Sequence, residues 1–419
     1  MTQRYDTYKN SGVQWLGEIP GHWGCIPFRR LASVKSNLVH PVDYMDYPQI
    51  APDSIEKNSG RILHWKTVAD SNVESDNHLF FKGQILYSKI RPLLNKVTIA
   101  PFDGLCSADM YPIETMQNTK FLLYYMLSNA FLESVTNATR DRVKMPKINR
   151  EELGSIDICV PPLSEQRAIV TYLDDKCGKI DKLVEGKQKQ IELLAEMKQR
   201  IIADAVTQGL NPNVTMKATN IPWLKEIPEH WEMRKMKYVF EERSEKNHPD
   251  EPMLSATQSE GVILQSKYQG RVVVVNTGFE GLKLVKVGDF VIHLRSFQGG
   301  IEYAYDQGII SSAYTILNPK YPEFSAYYKK LFKSSAFIDL LKICVTGIRE
   351  GQNINYSKLK QFYIPLPPLP EQRAIVTYLD DKCGKIDLLA EKLKAEIDAI
   401  KEYKQRLISD VVTGQIKVC

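Results

Sequence analysis

The side chains best placed to do chemistry lie in four polar stretches, and the chemistry they suit is contact with nucleic acid. The densest stretch, Thr139 to Arg150, reads TRDRVKMPKINR and sets five cationic residues against one Asp. Its counterpart, Thr346 to Lys358, reads TGIREGQNINYSK and offers Arg349, Gln352, Asn353 and Asn355 in place of most of those cations. Arg and Lys bridge guanine O6 and N7, whereas Asn and Gln bridge adenine N6 and N7, so the exchange would change which bases are read. Two loops that follow strands add to the set. In Ser88 to Lys96, Lys89, Arg91 and Lys96 can hold phosphates; in Arg295 to Gly300, Arg295 and Gln298 can reach bases, with glycines allowing close backbone approach. The candidate DNA-binding residues are therefore Lys89, Arg91, Lys96, Arg140, Arg142, Lys144, Lys147, Arg295, Gln298, Arg349, Asn353 and Asn355. For each of them the alternative is a solvated polar face.

Enzyme signatures are missing from the letters. There is no GxxxxGK(S/T), no GxGxxG after a strand, no HExxH and no GxSxG, and neither Asn211-Pro212 nor Asn318-Pro319 continues into an NPPY-like methylation box. The seven histidines are scattered and form no ligand pair at helical spacing. The sequence thus predicts no catalytic residue and no metal site in this chain.

The elements that must position these loops are written twice. Glu165 to Asp181 reads EQRAIVTYLDDKCGKID, and Glu371 to Asp387 repeats the same seventeen letters at an offset of 206. A second pair opens each half, WLGEIPGHW at Trp15 and WLKEIPEHW at Trp223. Between these frames only scraps stay in register, such as Ser128, Ala130 and Phe131 against Ser334, Ala336 and Phe337. Two differently tuned recognition units on one scaffold fit this pattern; a tandem duplication whose inserts drifted without purpose is the alternative. The WLxEIPxHW box, rich in Trp and Ile, suits packing at a domain boundary.

After each Pro-Pro pair the apolar residues follow a heptad, with Leu173, Ile180, Val184, Ile191, Leu194 and Ile201 in the first copy. The second copy presents Leu379, Ile386, Leu393, Ile397, Ile400 and Leu407. These twelve residues form the expected spacer-helix interface, interrupted by Lys187, Lys198 and Lys404. Ser164 as N-cap, Pro370 in a first turn, and Gly209 and Gly414 at the far ends bound two helices of roughly 40 residues, about 60 Å long. An antiparallel intramolecular coiled coil with a pseudo-two-fold axis is their simplest mutual burial; each helix packing on its own insert is the alternative. Gly178 and Gly384 fall inside, either to allow close backbone approach or as tolerated weak points.

Within the inserts, Gly83 to Pro92, Lys96 to Pro101, Arg271 to Asn276 and Gly288 to Leu294 read as strands, while Lys120 to Val135 and Phe324 to Lys342 read as core helices. The fold class is α+β: two small α+β domains separated by two long helices. The composition agrees. The 419 residues allow two to four domains, and 43% apolar against 25% charged residues describes a folded chain. An excess of 55 Lys and Arg over 50 Asp and Glu permits a nucleic-acid partner without requiring one. Seven cysteines without CxxC pairs read as reduced thiols, and the polar N-terminus and lack of an 18-residue apolar run point to a cytoplasmic protein rather than an exported or membrane one.

The doubled WLxEIPxHW and PPLxEQRAIVTYLDDKCGKID boxes, with phrases such as ILYSKIRPLLNKV and SFQGGIEYAY, make the chain resemble the specificity (S) subunits of type I restriction-modification systems over nearly its whole length. That resemblance implies a target recognition domain at residues 1–155, a central conserved spacer helix at 156–210, a second recognition domain at 211–361 and a C-terminal spacer helix at 362–419. It implies that each recognition domain reads one half of a bipartite double-stranded DNA target, with loops entering the major groove. It also implies two modification (methyltransferase) subunits and restriction (translocase/nuclease) subunits as partners. S-adenosylmethionine, ATP and Mg are then expected on those partners, with no cofactor in this chain. The competing expectation is a coiled-coil scaffold or adaptor that binds proteins without DNA-sequence specificity.

Overall fold

The duplicated frame folds twice. The computed structural model describes residues 4–140, 146–270, 278–346 and 353–418, and separates into two compact units, Met1–Gln188 with Lys394–Cys419, and Lys189–Leu393. The boundary falls inside both long helices, a central one at Leu163–Gln208 and a C-terminal one at Leu369–Val412.

Each unit opens with a short antiparallel hairpin from the Trp box, Tyr8–Asn10 with Glu18–Pro20 in the first unit and Met216–Ile221 with Leu224–Pro228 in the second. A two-stranded ribbon then ties the start of the insert to its end: Gly24–Pro27 pairs with Asp157–Val160, and Glu232–Lys235 pairs with Tyr363–Leu366. In the first ribbon Cys25 lies directly opposite Cys159, and the two form a disulfide. This corrects the expectation that every cysteine is a free thiol; Cys106, Cys177, Cys344 and Cys383 are free and buried. In the second ribbon Met233 and Pro365 hold the equivalent places.

The inserts share a sheet that their sequences conceal. In the first unit the order is Val97–Ile99, Ile85–Ser88, Met110–Thr115, Ala32–Val34, all antiparallel. In the second, Glu302–Tyr303, Phe290–Ile292, Thr315–Pro319 and Phe240–Arg243 follow the same order. Successive side chains of a strand point to opposite faces. Ile85 and Tyr87 accordingly enter the core shared with the long helices while Leu86 enters a smaller cluster with Ile50, Phe80 and Met110. Phe290 and Ile292 divide from Val291 in the same way. The first insert adds a five-stranded sheet that includes Asn77–Phe80, Gly104–Cys106 and Pro48–Ile50. The expected strand Arg271 to Asn276 lies outside the described residues.

Each expected insert helix is broken once, at a serine in the same register. Thr119–Leu127 ends at Ser128, whose hydroxyl donates to Tyr125 O at 2.6 Å and accepts from Phe131 N to start Asn129–Ala138. Ser334 does the same between Ser325–Leu331 and Ser335–Ile343, donating to Leu331 O at 2.7 Å. A serine N-cap ends one helix and begins the next by satisfying otherwise orphaned backbone groups. The few letters that kept register between the inserts are thus this cap and the phenylalanine it sets into each core.

Along the middle of the long helices the heptad positions are buried or half-buried and most positions between them are exposed, while toward the helix ends further positions such as Ile169, Ile202, Ile375 and Ile408 are buried as well. The helices run antiparallel within each unit: Asp181 and Lys187 pair with Lys404 and Glu396 in the first, and Lys198 pairs with Asp387 at 2.6 Å in the second. The lysines that interrupted the apolar seam therefore lie on it, their stems half-buried and their ammonium groups on carboxylates of the opposite helix. Both helices also enter each insert core. Leu173 and Cys177 join Leu407, Ile408 and Val411 in the first, and Ile202, Ala205 and Val206 join Ile375, Leu379 and Cys383 in the second.

One start signal differs from expectation. Both helices begin at the Leu after Pro-Pro, with the amides of Glu165 and Gln166 bonded to Pro162 O, so Ser164 is a first-turn residue and not the cap. Gly178 and Gly384 provide no close approach, because a Cβ at either would meet nothing within 4 Å among the described residues. Gly209 and Gly414 do end their helices, at φ +78 and +77, in the left-handed region that glycine enters freely.

Candidate nucleic-acid interface

The first candidate loop leaves strand Ile85–Ser88 and is held by its own backbone. The Ser88 hydroxyl donates to Ile90 O at 3.0 Å, and fully buried Asn95 donates through its amide to Met126 O at 3.0 Å. Between them a short 3-10 turn, Pro92–Leu94, is headed by Arg91 at φ +46. Every other described non-glycine residue with positive φ is an Asn, the type that tolerates this region. An exposed Arg held there stores about 1–2 kcal/mol of local strain, the kind of cost that surrounding structure sustains at binding loops.

The structure brings a second candidate stretch against this loop. Lys147 bridges to Ile90, Arg91 N donates to Pro146 O at 2.9 Å, and Ile148 N donates to Lys89 O at 2.9 Å. Lys89, Arg91 and Lys147 thus gather at one strand end, with the Lys147 ammonium 3.4 Å from Asp109. Two groups that sequence reasoning left out join them. Lys89 Nζ lies 5.4 Å and the Arg150 guanidinium 5.8 Å from the Tyr111 ring centre, within cation–π range. Burial first, then Lys89 and Arg150, hold the His78 imidazole below its ordinary pKa. Only strand register, Tyr111 opposite Tyr87, places this aromatic under the loop, so no local motif announces it. Lys96 is half-buried and donates to Pro52 O at 2.6 Å, which ties its ammonium to the insert itself. Arg140 is exposed just beyond helix Asn129–Ala138.

The second unit builds a comparable feature from different residues. After Phe290–Ile292 a single helical turn, Ser296–Gly299, is headed by exposed Arg295 and carries exposed Gln298. It packs on helix Ser335–Ile343, as Pro92–Leu94 packs on helix Asn129–Ala138. The expected close approach at the glycines is present: a Cβ on Gly300, at φ +88, would collide with the Phe332 carbonyl. Asn353 is exposed on a ribbon with Val345–Thr346.

Asn355, exposed and expected among the base-reading groups, also has a structural role. Its side chain caps helix Tyr356–Leu359 by accepting from Lys358 N at 3.0 Å, and Asn149, 206 residues earlier, caps Arg150–Ser155 by accepting from Glu152 N at 2.8 Å. Arg142, Lys144, Arg349 and Gln352 lie outside the described residues.

At the base of each insert the two repeated boxes meet. Glu165, at the start of the central helix, takes His22 Nε2 at 2.8 Å, Trp23 Nε1 at 3.2 Å and the Tyr5 hydroxyl. Glu371 takes His230 Nε2 at 2.8 Å and Trp231 Nε1 at 3.0 Å. Gly414 presses on Pro20 and Trp23, and Gly209 on Glu371 and Trp231, so the end of one long helix, the start of the other and a Trp box form one joint in each unit. Above it Asp174 takes Tyr124 and Lys120, while Asp380 takes Lys330. Among the described residues no group of His, Cys, Asp and Glu could hold a metal ion, and no helix is long and apolar enough to cross a membrane.

A family model described as the type I restriction modification DNA specificity domain matches residues 33–193 and 224–399. The chain belongs to that family. The EcoDI specificity subunit of Escherichia coli is 40% identical over 201 residues, which is 47% of this chain and 45% of that protein, so this match spans about half of the relative's length. The putative MjaX specificity subunit of Methanocaldococcus jannaschii is 26% identical across 96% of each chain. A chain from a solved structure concerned with complex assembly and conformational transition of the type I R-M system shares the fold, with a TM-score of 0.67, 17% identity, and coverage of 95% of this chain and 99% of that one. In such systems the specificity subunit is the non-catalytic member.

Proposed function

We propose that this specificity subunit reads a bipartite duplex target, one half-site per insert, with the strand-end turns headed by Arg91 and Arg295 carrying the contacts. One observation carries this reading: two units with the same sheet and the same joint present, at the same strand end, turns of different composition. Lys89, Arg91 and Lys147 suit phosphate and guanine, while Arg295, Gln298 and Asn353 suit a mixed base pattern. Arg140, Arg142, Lys144 and Arg349 would add further DNA contacts in this reading.

The partners follow from what was kept identical. Arg167, Asp175, Lys176 and Lys179 are exposed on the central helix, and Arg373, Asp381, Lys382 and Lys385 repeat them on the C-terminal helix. Folding does not require exposed residues to match, so two copies of one modification subunit docking on equivalent faces account for the identity. Restriction subunits would join through them, and S-adenosylmethionine, ATP and Mg would reside on those partners. The assembly is placed in the cytoplasm, beside the DNA it modifies.

The test is an insert exchange. Residues 24–151 are replaced by the corresponding segment of a relative with a different target, and the methylated sites of the host genome are mapped. We expect one half of the target to change and the other to persist. A change in both halves, or in neither, would remove the modular reading.

A further inference from the structure

Beneath the turn Arg295–Gly300 lies a buried charged cluster that the fold does not need. Glu302 is fully buried; one oxygen lies 2.5 Å from Lys333 Nζ and the other has no partner among the described residues. The same ammonium donates to Gly299 O at 3.0 Å and to Gln258 O at 3.3 Å, and the Gln258 amide reaches Arg295 O at 3.4 Å. His293, almost as deeply buried, accepts Arg295 N on Nδ1 at 3.2 Å, which leaves Nε2 facing Glu302 at 3.6 Å, beyond hydrogen-bond reach. His293 N also donates to Ser296 Oγ at 2.9 Å. Half-buried Lys333, backed by the buried Glu302 carboxylate, and buried His293 thus fix the main chain at both ends of the turn, while the side chains of Arg295 and Gln298 remain exposed.

The first unit shows that the sheet and the helix junction stand without these charges. Thr98, opposite Leu86, holds the place that Glu302 takes opposite Val291. Leu127 precedes the capping Ser128 as Lys333 precedes Ser334, and Ser88 ends its strand where His293 follows Ile292. A buried ion pair is a poor device for stability, since an apolar pair of similar volume commonly does as well, but it fixes geometry because its partners cannot be left unpaired. We infer that Lys333, Glu302 and His293 are positioning residues that hold the Arg295–Gly300 turn in the orientation required to discriminate bases in the second half-site. This rests on the reading of that turn as a DNA contact, and it assigns a specificity role to residues that touch no DNA.

The experiment uses the full chain assembled with its modification subunits. Its probes are duplex oligonucleotides bearing the mapped target, or single-base changes in either half. We expect Lys333→Met to lower discrimination at the second half-site by about tenfold, the scale of one good base contact. Discrimination at the first half-site and affinity for unrelated duplex should be unchanged. Lys333→Arg should restore it, and Arg295→Ala added to Lys333→Met should lower it little further. Glu302→Gln, which keeps the volume, should act in the same direction. Unchanged discrimination in Lys333→Met, where Arg295→Ala alone reduces it, would overturn the positioning role and leave the turn's DNA contact standing. Equal loss at both half-sites, with a lowered melting temperature, would also overturn it by showing a structural role. If Arg295→Ala and Gln298→Ala both leave discrimination intact, the underlying reading of the turn fails instead.

Discussion

The two units use the same residues where the chain repeats itself and diverge by mechanism where it does not. At the joints, Glu165 with His22 and Trp23 is matched by Glu371 with His230 and Trp231. At the strand-end turns, one unit relies on backbone bonds, a buried Asn95 and a strained Arg91, the other on half-buried Lys333 paired with buried Glu302 and on Gly300 against Phe332. Two solutions for one task imply that the turn's position, not its chemistry, is what the scaffold fixes. The joint, in contrast, has been kept to the residue, as expected of a part that both units need in one geometry.

The strongest way to break this equivalence is at the joint tryptophans. Trp23 and Trp231 are each 1% exposed, and each donates its indole N–H to the helix-start glutamate. Trp23→Ala and Trp231→Ala should each cost about 3–5 kcal/mol, the range for truncating a buried aromatic. Urea denaturation of the two variants measures it. A cost below 1 kcal/mol in one copy alone would mean the joints are alike in sequence and not in energy.

The glutamates sharpen the comparison, because their surroundings are unequal. Glu165 is 10% exposed at its side chain and accepts three donors, whereas Glu371 is 25% exposed and accepts two. Bonds to a buried carboxylate weigh more than bonds to one that water reaches. Glu165→Gln should therefore destabilise by about 2 kcal/mol and Glu371→Gln by about 1 kcal/mol. Reversal of that order would show that Tyr5 and the deeper burial add nothing to the first joint.

The joints were half legible in the letters. The repeats and the heptad announced two equivalent helices because apolar spacing at a and d survives even where Lys interrupts it. That the Trp box meets PPLxEQ was hidden, since nothing local links His22 to a glutamate 143 residues on. The shared four-stranded sheet was hidden too, because strands of two to six residues that keep only a buried pattern leave little to align. The capping role of Asn355 was hidden for a different reason. The box Asn149-Arg-Glu-Glu152 is a capping signature, but its second copy carries Lys358 at the last position, so only the offset marks Asn355 as a cap. The turn cluster of Tyr111, Lys89 and Arg150 arises from strand register, which single-sequence periodicity does not set.

The turn arginines should separate the units functionally. Arg91→Ala and Arg295→Ala are each expected to weaken DNA binding and to reduce the slope of log affinity against log salt by about one if the lost contact is to phosphate. A loss confined to one sequence, with the slope unchanged, would assign that arginine to a base instead. Measuring both variants over a salt series tells which unit leans on phosphate, and the expectation from Lys89, Arg91 and Lys147 is that the first does so more.

The smallest effect falls on the paired helix glycines, where the comparison predicts identity. Gly178 and Gly384 lie within long helices, and a Cβ at either meets no atom of the described residues within 4 Å. Glycine in a helix interior costs about 1 kcal/mol relative to alanine, through backbone entropy that folding must remove. Gly178→Ala and Gly384→Ala should therefore each stabilise the chain by about 0.5–1 kcal/mol in urea denaturation. No packing among the described residues explains why both copies keep a residue that weakens their helix. If the variants are stabilised and yet assemble less well with the modification subunits, the open surface at these positions belongs to the docking face. If they are stabilised and assemble normally, the glycines are inherited weak points common to both copies, and the repeated face makes its contacts through its exposed charges alone.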